Sequence, residues 1–388
     1  MTSTVRALDP AGSAAPPRRK LWLDWQRGLA VLFMVEVHVL DAWLAVSERS
    51  GVTYDVLRMI GGFAAPGFLY MAGLSQALAD AAMARKGATP RQRLLAALRR
   101  GLWLLGVAYA FRLTEFLFGR AFLRPDGWRD LFRVDILNII AVGLLLSALL
   151  TAGRRRGLAT ALAAAGAALV VLVTPPIADA LRHYDLPSAT RLVEPPILQA
   201  PNHAADVLLA YLYGRYPRAI FSIFNWTAFL LAGAALAPLA LRGVRAITWL
   251  GAAALLAGAG LLVDRGPDFY ALQDYWHTSP AWFLLRLGGC VALSGLLQLL
   301  PAAAERALGW LTQLGRESLV AYLVSVELTY GVLVHSLSRR LSMAWTLAGM
   351  VAMAAFTWVA VVAWARLLAL WRARGAARGG GASPPAVA

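Results

Sequence analysis

The stretch from residue 23 to residue 38 has the composition of a membrane span, yet it carries four ionisable side chains. Asp24 and Arg27 stand near its start, Glu36 lies deep in the apolar run, and His38 ends it. A charged group inside a bilayer costs about 2.5–3.5 kcal/mol on insertion scales, so such residues usually serve a function. Histidine titrates near neutral pH, which makes His38 a candidate for proton transfer.

Three of these ionisable groups share one face of the predicted helix. Positions three and four apart are neighbours on a helix surface, and the series from Asp24 through Arg27 to His38 keeps that spacing. The rise from Arg27 to His38 is about 16 Å, so this stripe connects one membrane interface with the opposite half of the bilayer. Asp41 lies one turn further on and close in angle, whereas Glu36 points to nearly the opposite side.

A structural role for the same residues stays open. Asp24 and Arg27 would then form an i,i+3 pair at the helix entrance, with the arginine reaching towards the interface. His38 would hydrogen-bond to a neighbouring helix, and Glu36 would pair with an arginine of another helix.

The composition predicts an all-α polytopic membrane protein with about ten transmembrane helices. Of the 388 residues, 59% are hydrophobic and only 15% are charged, and long apolar runs recur along the chain. Spans of about 20 residues, the length that a bilayer requires, are predicted near residues 24–46, 58–80, 97–118, 132–150, 157–174, 219–240, 245–263, 281–300, 309–336 and 343–371.

The sequence predicts a transmembrane domain with a flanking segment at each end. Residues 1–21 are expected to form a disordered basic segment, residues 22–372 the transmembrane domain, and residues 373–388 a disordered C-terminal tail. The long connection at 175–218 is rich in proline, so we expect it to form an extracytoplasmic loop or small cap.

The basic residues predict that both termini are cytoplasmic, and we expect the membrane to be the inner cell membrane. With the N-terminus inside, 22 of the 37 lysines and arginines fall on cytoplasmic segments, and the bias recurs at nearly every short loop. The net charge of +16 is therefore a signal of topology and of contact with lipids. A nucleic acid partner is not expected, because the charge does not form a patch with base-reading elements.

Cysteine and histidine spacing argues against a metal centre. Cys290 is the single cysteine, and the five histidines are scattered without an HExxH pattern. An intrachain disulfide and a CxxC metal site are therefore excluded, and we expect no metal.

A second polar group begins the fourth predicted span. If spans alternate in direction, Arg133, Asp135 and Asn138 lie at the outer face, level with His38. Asp135 would orient a histidine, as the acid of a catalytic triad does, and Arg133 or Asn138 would stabilise an oxyanion. The alternative is a helix cap with an acid at the positive end of the helix dipole.

Two further pairs of residues stand out in later spans. Asn225 and Trp226 begin the sixth span at the outer interface, where the tryptophan is expected to anchor the helix in the aromatic belt or to stack on a sugar ring. Arg286 and Glu327 are both intramembrane and are expected to form a buried salt bridge.

Four stretches of the sequence carry recognisable motifs. The first is the pattern Leu-Asp-x-x-Arg-Gly-x-Ala at 23–30, followed by His38. The others are "GGFAAPGFLYMAGLSQAL" (61–78), "FRVDILNIIAVGLLL" (132–146) and "LGRESLVAYLVSVELTYG" (314–331). Taken in order, they resemble the transmembrane acyltransferase superfamily, and within it bacterial relatives of heparan-α-glucosaminide N-acetyltransferase, from about residue 22 to residue 336. In the family a histidine often follows the tyrosine of the last stretch by three or four residues, where Ser325 and Val326 stand here.

The resemblance implies transfer of an acyl group, typically acetyl from cytoplasmic acetyl-CoA, to a hydroxyl or amine of a glycan or other small acceptor outside. His38 would be the general base or the acyl acceptor, with Asp135 and Asn138 as catalytic neighbours. The residues expected to face the donor are Arg27, Asp24, Arg316 and Ser318, of which the last two would otherwise cap and pack their helix. Those expected to contact the acceptor are Asp41, Arg133, Asn225 and Trp226.

Two other functions fit the same stripe of polar residues. A carrier or flippase for a lipid-linked or acylated small molecule would also need polar groups from the cytoplasm to the exterior. In a structural or sensory membrane protein, the stripe would serve only to hold helices together.

Overall fold

The computed structural model describes residues 20–119, 121–123, 127–181, 207–208, 210–212, 221–266, 275–331 and 336–378. Within these ranges the chain forms helices and short turns without a β-strand, and an isolated bridge joins Leu44 to Leu341. The all-α prediction is thus confirmed. Most of the loop or cap predicted at 175–218 lies outside the described residues, as do residues 1–19 and 379–388.

Twelve helices of eight or more residues occur in the described ranges. They are α1 (Leu21–Trp43), α2 (Val52–Gly61), α3 (Ala64–Arg85), α4 (Pro90–Phe118), α5 (Ile136–Thr151), α6 (Arg156–Leu181), α7 (Ile223–Arg242), α8 (Ala246–Arg265), α9 (Pro280–Gln298), α10 (Gly309–Arg316), α11 (Ser318–Tyr330) and α12 (Met343–Arg378). A helix or a helix pair coincides with each of the ten predicted spans.

Seven helical segments of the described chain are long and apolar enough to cross a membrane: α2 with α3, α4, α6, α7, α8, α9 and α12. Helices α5 and α11 are apolar but shorter. Helix α1 has 23 residues, so its length suffices and its charged side chains set it apart. The chain is therefore a polytopic membrane protein, and ten remains the predicted number of spans.

Helix boundaries differ from the predicted spans where capping and proline chemistry act. Helix α4 begins at Pro90, before the predicted span at 97–118, because Thr89 and Gln92 form a capping box and proline suits the first helical position. Helix α12 continues to Arg378, past residue 372 where the transmembrane domain was predicted to end. Hydropathy thus predicts the part of a helix that lies in the membrane, whereas the N-terminal cap determines where α4 begins.

Contacts with the two ends of α1 establish the direction of its neighbours. We call the face at which α1 begins the proximal face and the opposite one the distal face. Near the start of α1, Trp25 Nε1 donates a hydrogen bond to Thr312 Oγ1 of α10 at 2.9 Å. Near its end, Trp43 Nε1 donates to the carbonyl of Thr329 in α11 at 3.1 Å. Helices α10 and α11 therefore run from the proximal to the distal face, as α1 does.

A hydrogen-bonded network fixes α1 against α3 and α9 inside the helix bundle. Gln26 Nε2 donates to the carbonyl of Cys290 at 2.8 Å, and Ser294 Oγ donates to Gln26 Oε1 at 2.8 Å. The hydroxyls of Tyr70 and Ser294 are 3.1 Å apart. Because a buried polar group without a partner costs about 1–3 kcal/mol, these bonds favour one position of α1.

Two glycines allow α1 and α10 to approach closely. A Cβ atom added to Gly28 would collide with the carbonyl oxygen of Leu311, and one added to Gly315 would collide with the carbonyl oxygen of Asp24. Small residues at helix crossings are the usual means of close backbone approach in membrane proteins. The glycines of the first and last family-like stretches therefore form one contact surface.

Replacing Gly315 by Ala is expected to destabilise the protein by about 1–3 kcal/mol, because the added methyl group overpacks a helix crossing. Thermal unfolding of the purified protein in detergent measures the effect as a lower Tm. Gly251→Ala in α8 is the matched control, since its added Cβ meets no atom within 4 Å and alanine favours the helix. Equal Tm values for Gly315→Ala and the parent protein would contradict the close crossing.

Candidate functional site

The polar residues of α1 form two clusters at opposite ends of the helix. Between them, Val31 and Val35, which lie on the predicted polar stripe, are 0% and 1% exposed. The stripe is therefore closed in its middle by packing against neighbouring helices. We call the group around Asp24 the proximal cluster and the group around His38 the distal cluster.

The proximal cluster centres on the carboxylate of Asp24, which lies between two guanidinium groups. Arg27 Nη1 is 3.3 Å from Oδ1, and Arg316 Nε is 3.6 Å from Oδ2. Arg27 Nη2 also donates to Ser75 Oγ of α3 at 2.6 Å. The Asp24 side chain is 3% exposed and that of Arg316 45% exposed, so the cluster presents net positive charge at the proximal face.

Three of the four family-like stretches meet in the proximal cluster. The i,i+3 pair of Asp24 and Arg27 is present as predicted, and the glycine crossing of α1 and α10 brings Arg316 to the same carboxylate. Ser75, from the second stretch, was missed because an isolated serine in an apolar span carries no signal of its own. Ser318 begins α11, two residues after Arg316.

His38 begins the distal cluster and packs against Tyr330 of α11. The two rings meet edge to face, with centroids 5.5 Å apart and planes inclined by 68°. The Tyr330 hydroxyl donates to Asp41 Oδ2 at 3.3 Å, and Asp41 lies within electrostatic range of His38. His38 Nδ1 is buried and makes no hydrogen bond within the described part of the chain. The imidazole is thus placed by packing and has a carboxylate one turn away.

A cavity of about 300 Å³ opens beside the distal cluster. Its lining residues are Asp41, Ala42, Thr329, Tyr330, Gly331, Ser338 and Arg339. Arg339 has a left-handed backbone with φ of 55°, and its N–H donates to the carbonyl of Ala42 at 2.9 Å. Arg49 Nη2 donates to the carbonyl of Asp41 at 2.6 Å. The cavity is at the small end of the range for ligand sites and offers hydroxyl, carboxylate and guanidinium groups.

Asp135 lies in the distal cluster but is paired with arginines and has no bond to His38. Its carboxylate contacts Arg112 of α4, and Arg133 Nε is 3.2 Å from its Oδ1. Arg112 also pairs with Glu115. The prediction that Asp135 orients His38 does not match this geometry, because two guanidinium groups occupy its oxygens and Asp41 is the carboxylate beside the imidazole.

Asn138 caps its own helix and joins a pair of tyrosines. The N–H of Asp135 donates to Asn138 Oδ1 at 3.2 Å, which is the capping alternative considered from sequence. Asn138 Nδ2 donates to the hydroxyl of Tyr211 at 3.1 Å, and Tyr211 lies 2.8 Å from Tyr109 between hydroxyl oxygens. Both the oxygen and the nitrogen of the Asn138 amide therefore already have a hydrogen-bond partner.

Tyr330 connects His38 and Asp41 with Arg133 in the distal cluster. Tyr322 and Tyr330 lie on one face of α11. Arg133 is close enough to both of them for electrostatic interaction. Arg112 was missed because it lies outside the four family-like stretches. Tyr330 lies within the last of them, but its relevance, like that of Arg112, depends on which helices pack together. The structure thus gathers His38, Asp41, Arg133, Asp135 and Asn138 at one face.

Neither of two predicted ion pairs is found among the described residues. Arg286 Nη1 donates to the carbonyl of Met59 at 2.6 Å, and its guanidinium carbon is 4.5 Å from the centroid of the Phe63 ring. Arg286 therefore contacts the turn between α2 and α3 and not Glu327, which is exposed. Glu36 lies against that same turn, and neither of its carboxylate oxygens has a hydrogen-bond partner among the described residues.

Trp226 is enclosed by other rings and is buried in the helix bundle. It is 7% exposed, and its ring centroid is 4.8 Å from that of Phe221 and 5.9 Å from that of Trp282. Neither a belt anchor nor an open sugar-stacking surface fits this burial. The adjacent Asn225 is 3% exposed and has φ of 74°, which interrupts the first turn of α7.

A family model described as heparan-alpha-glucosaminide N-acetyltransferase, catalytic, matches residues 19–263. No curated protein matches the chain. The matched range contains Asp24, Arg27 and His38 and ends before α9, so Arg316 and Tyr330 come from outside it.

Asp135→Asn is expected to destabilise the protein by about 3–5 kcal/mol, because it leaves two guanidinium groups without their shared carboxylate. Thermal unfolding in detergent provides the measurement. The matched control is Asp264→Asn at an exposed carboxylate, which should change stability by less than about 0.5 kcal/mol. An unchanged Tm for Asp135→Asn, together with loss of activity, would show that the residue acts in chemistry and not in holding the helices.

Proposed function

The chain belongs to the family of heparan-α-glucosaminide N-acetyltransferase catalytic domains, and we propose that it transfers an acetyl group across the membrane. The donor would be acetyl-CoA at the proximal face, and the acceptor a hydroxyl or amine of a glycan at the distal face. The observation that carries this proposal is the separation of a cationic cluster and an imidazole along one helix, about 16 Å apart.

The proximal face is assigned to the cytoplasm and the membrane to the inner cell membrane. The support is the excess of lysine and arginine on the segments that share a side with the N-terminus. This orientation gives the donor cluster access to cytoplasmic acyl-CoA and the distal cavity access to acceptors outside the cell.

The proximal cluster would bind phosphate groups of the donor. Guanidinium groups suit this role because they donate planar pairs of hydrogen bonds to phosphate. Asp24 holds Arg27 and Arg316 close together, and Ser75 fixes the other edge of Arg27. Both guanidinium groups thus lie side by side at the proximal face.

At the distal cluster, His38 would remove the proton from the acceptor hydroxyl or amine. The acceptor oxygen or nitrogen then attacks the thioester carbonyl, the carbon–sulfur bond breaks, and the proton passes to the departing thiolate. In the two-step alternative, an imidazole nitrogen first takes the acetyl group and the acceptor then displaces it. Arg133 is the donor that would stabilise the tetrahedral oxyanion, and the Tyr330 hydroxyl would join it by exchanging its bond to Asp41 for one to the oxyanion.

The packed middle of α1 sets a requirement on this reaction. Val31 and Val35 are buried, so the pantetheine arm reaches His38 only when the helices around them separate. A carrier or flippase would need the same opening but no acyl donor. Acetyl transfer to cell-envelope glycans by the purified protein, and its dependence on acetyl-CoA, separates the two functions.

His38→Ala is expected to lower kcat for acetyl transfer at least about 100-fold, because a general base contributes about 10²–10⁴-fold in rate. The measurement is release of CoA by protein reconstituted with cell-envelope glycan. Glu36→Gln is the matched control: the residue lies two positions away on the same helix, is half-buried, and faces the turn between α2 and α3. Its activity should stay within about threefold of the parent, and full activity of His38→Ala would refute the mechanism.

Arg27→Gln is expected to raise the KM for acetyl-CoA about tenfold or more with a smaller change in kcat, because a hydrogen bond to a charged group is worth about 1.5–3 kcal/mol. Steady-state kinetics with varied acetyl-CoA measure both constants. Arg242→Gln, an exposed arginine at the proximal end of α7, should leave both within about twofold. A fall in kcat at constant KM would place Arg27 outside the donor site.

A further inference from the structure

The proximal turn between α3 and α4 carries a cavity that the proposed acetyl transfer does not use. Its volume is about 710 Å³, and its lining residues are Met83, Lys86, Gly87, Ala88, Gln92, Leu95, Ala96 and Arg99. This volume lies within the range of ligand sites, about 300–1,000 Å³. One side of the lining is apolar and the other is cationic.

The charge around this cavity is positive and uncompensated. Residues 80–100 contain one acid, Asp80, and the six basic residues Arg85, Lys86, Arg91, Arg93, Arg99 and Arg100. Asp80 is already paired, because its Oδ1 accepts hydrogen bonds from Arg93 Nε at 2.9 Å and from the N–H of Gly153 at 3.2 Å. Lys86 and Arg99, which line the cavity, have no ion-pair partner within the described ranges. The cavity therefore favours an anion.

The cavity is continuous along α4 with exposed apolar residues. Leu95, Arg99, Leu102 and Trp103 follow the spacing of one face of α4. Leu102 and Trp103 are 58% and 55% exposed, so no helix of the described part of the chain covers this face. Tryptophan is typical of the interface between membrane and water, which places Arg99, about one turn earlier, at the depth of lipid headgroups.

We propose that this cavity binds an anionic glycerophospholipid. The phosphate would accept hydrogen bonds from Lys86 and Arg99, and the acyl chains would lie along Leu102 and Trp103. Basic pockets between membrane helices are suited to anionic headgroups for this reason. An acyl-donor nucleotide fits less well, because the cavity is lined by the end of α3, the turn after it and the start of α4, whereas the proximal cluster proposed for the donor joins α1 to α3 and α10.

Native mass spectrometry of the purified protein, titrated with phosphatidylglycerol or phosphatidylcholine, tests the site. The double variant Lys86→Gln/Arg99→Gln should bind phosphatidylglycerol about thirtyfold more weakly, since each basic residue near an anionic lipid surface contributes about a factor of five. Binding of phosphatidylcholine should not change. Arg155→Gln/Arg156→Gln is the matched control, because it removes two exposed cations from the turn between α5 and α6 at the same face.

The proposal is overturned if both double variants lose phosphatidylglycerol equally, since general surface charge would then explain binding. It is also overturned if neither variant loses it, or if CoA displaces the lipid from the parent protein. Thermal unfolding without added lipid shows whether Lys86→Gln/Arg99→Gln remains folded, and single variants replace the double variant if it does not. The outcome does not depend on whether the protein transfers acetyl groups.

Discussion

The buried carboxylate of Asp24 is the interaction on which the proximal face depends. It lies between Arg27 of its own helix and Arg316 of α10, whose side chains are 26% and 45% exposed. Loss of the carboxylate would leave two like charges facing each other, whereas loss of one arginine leaves the other as its partner. Because Arg27 also bonds to Ser75, one carboxylate fixes the start of α1 against both α3 and α10.

Fixing the start of α1 also fixes the position of His38. A helix has a constant rise, so Arg27 and His38 stay about 16 Å apart whatever happens around them. The network of Gln26, Ser294 and Tyr70 further opposes sliding of α1. In the proposed reaction, the donor must therefore extend along α1, and the packing at its buried valines must open, since the helix cannot bring its two ends together.

Local spacing made part of this site predictable from sequence. The pair of Asp24 and Arg27 and the position of His38 follow from the helical repeat alone. The partner of Asp135 could not be predicted in that way, because Arg112 stands on another helix and the contact depends on how α4 and α5 pack. The same limit explains why the bridge between Arg286 and Glu327 was expected and a backbone carbonyl was found instead.

The two ends of α1 are completed by helices outside the family match. The matched range supplies His38 and the cavity-lining residues Asp41 and Ala42, whereas Tyr330, Ser338 and Arg339 of the same lining follow it in the chain. Under the proposed function, part of the acceptor cavity can therefore vary while the reacting imidazole stays the same. Relatives that share the matched helices would keep the transfer chemistry, while changes at Ser338 and Arg339 would alter which acceptor reaches His38.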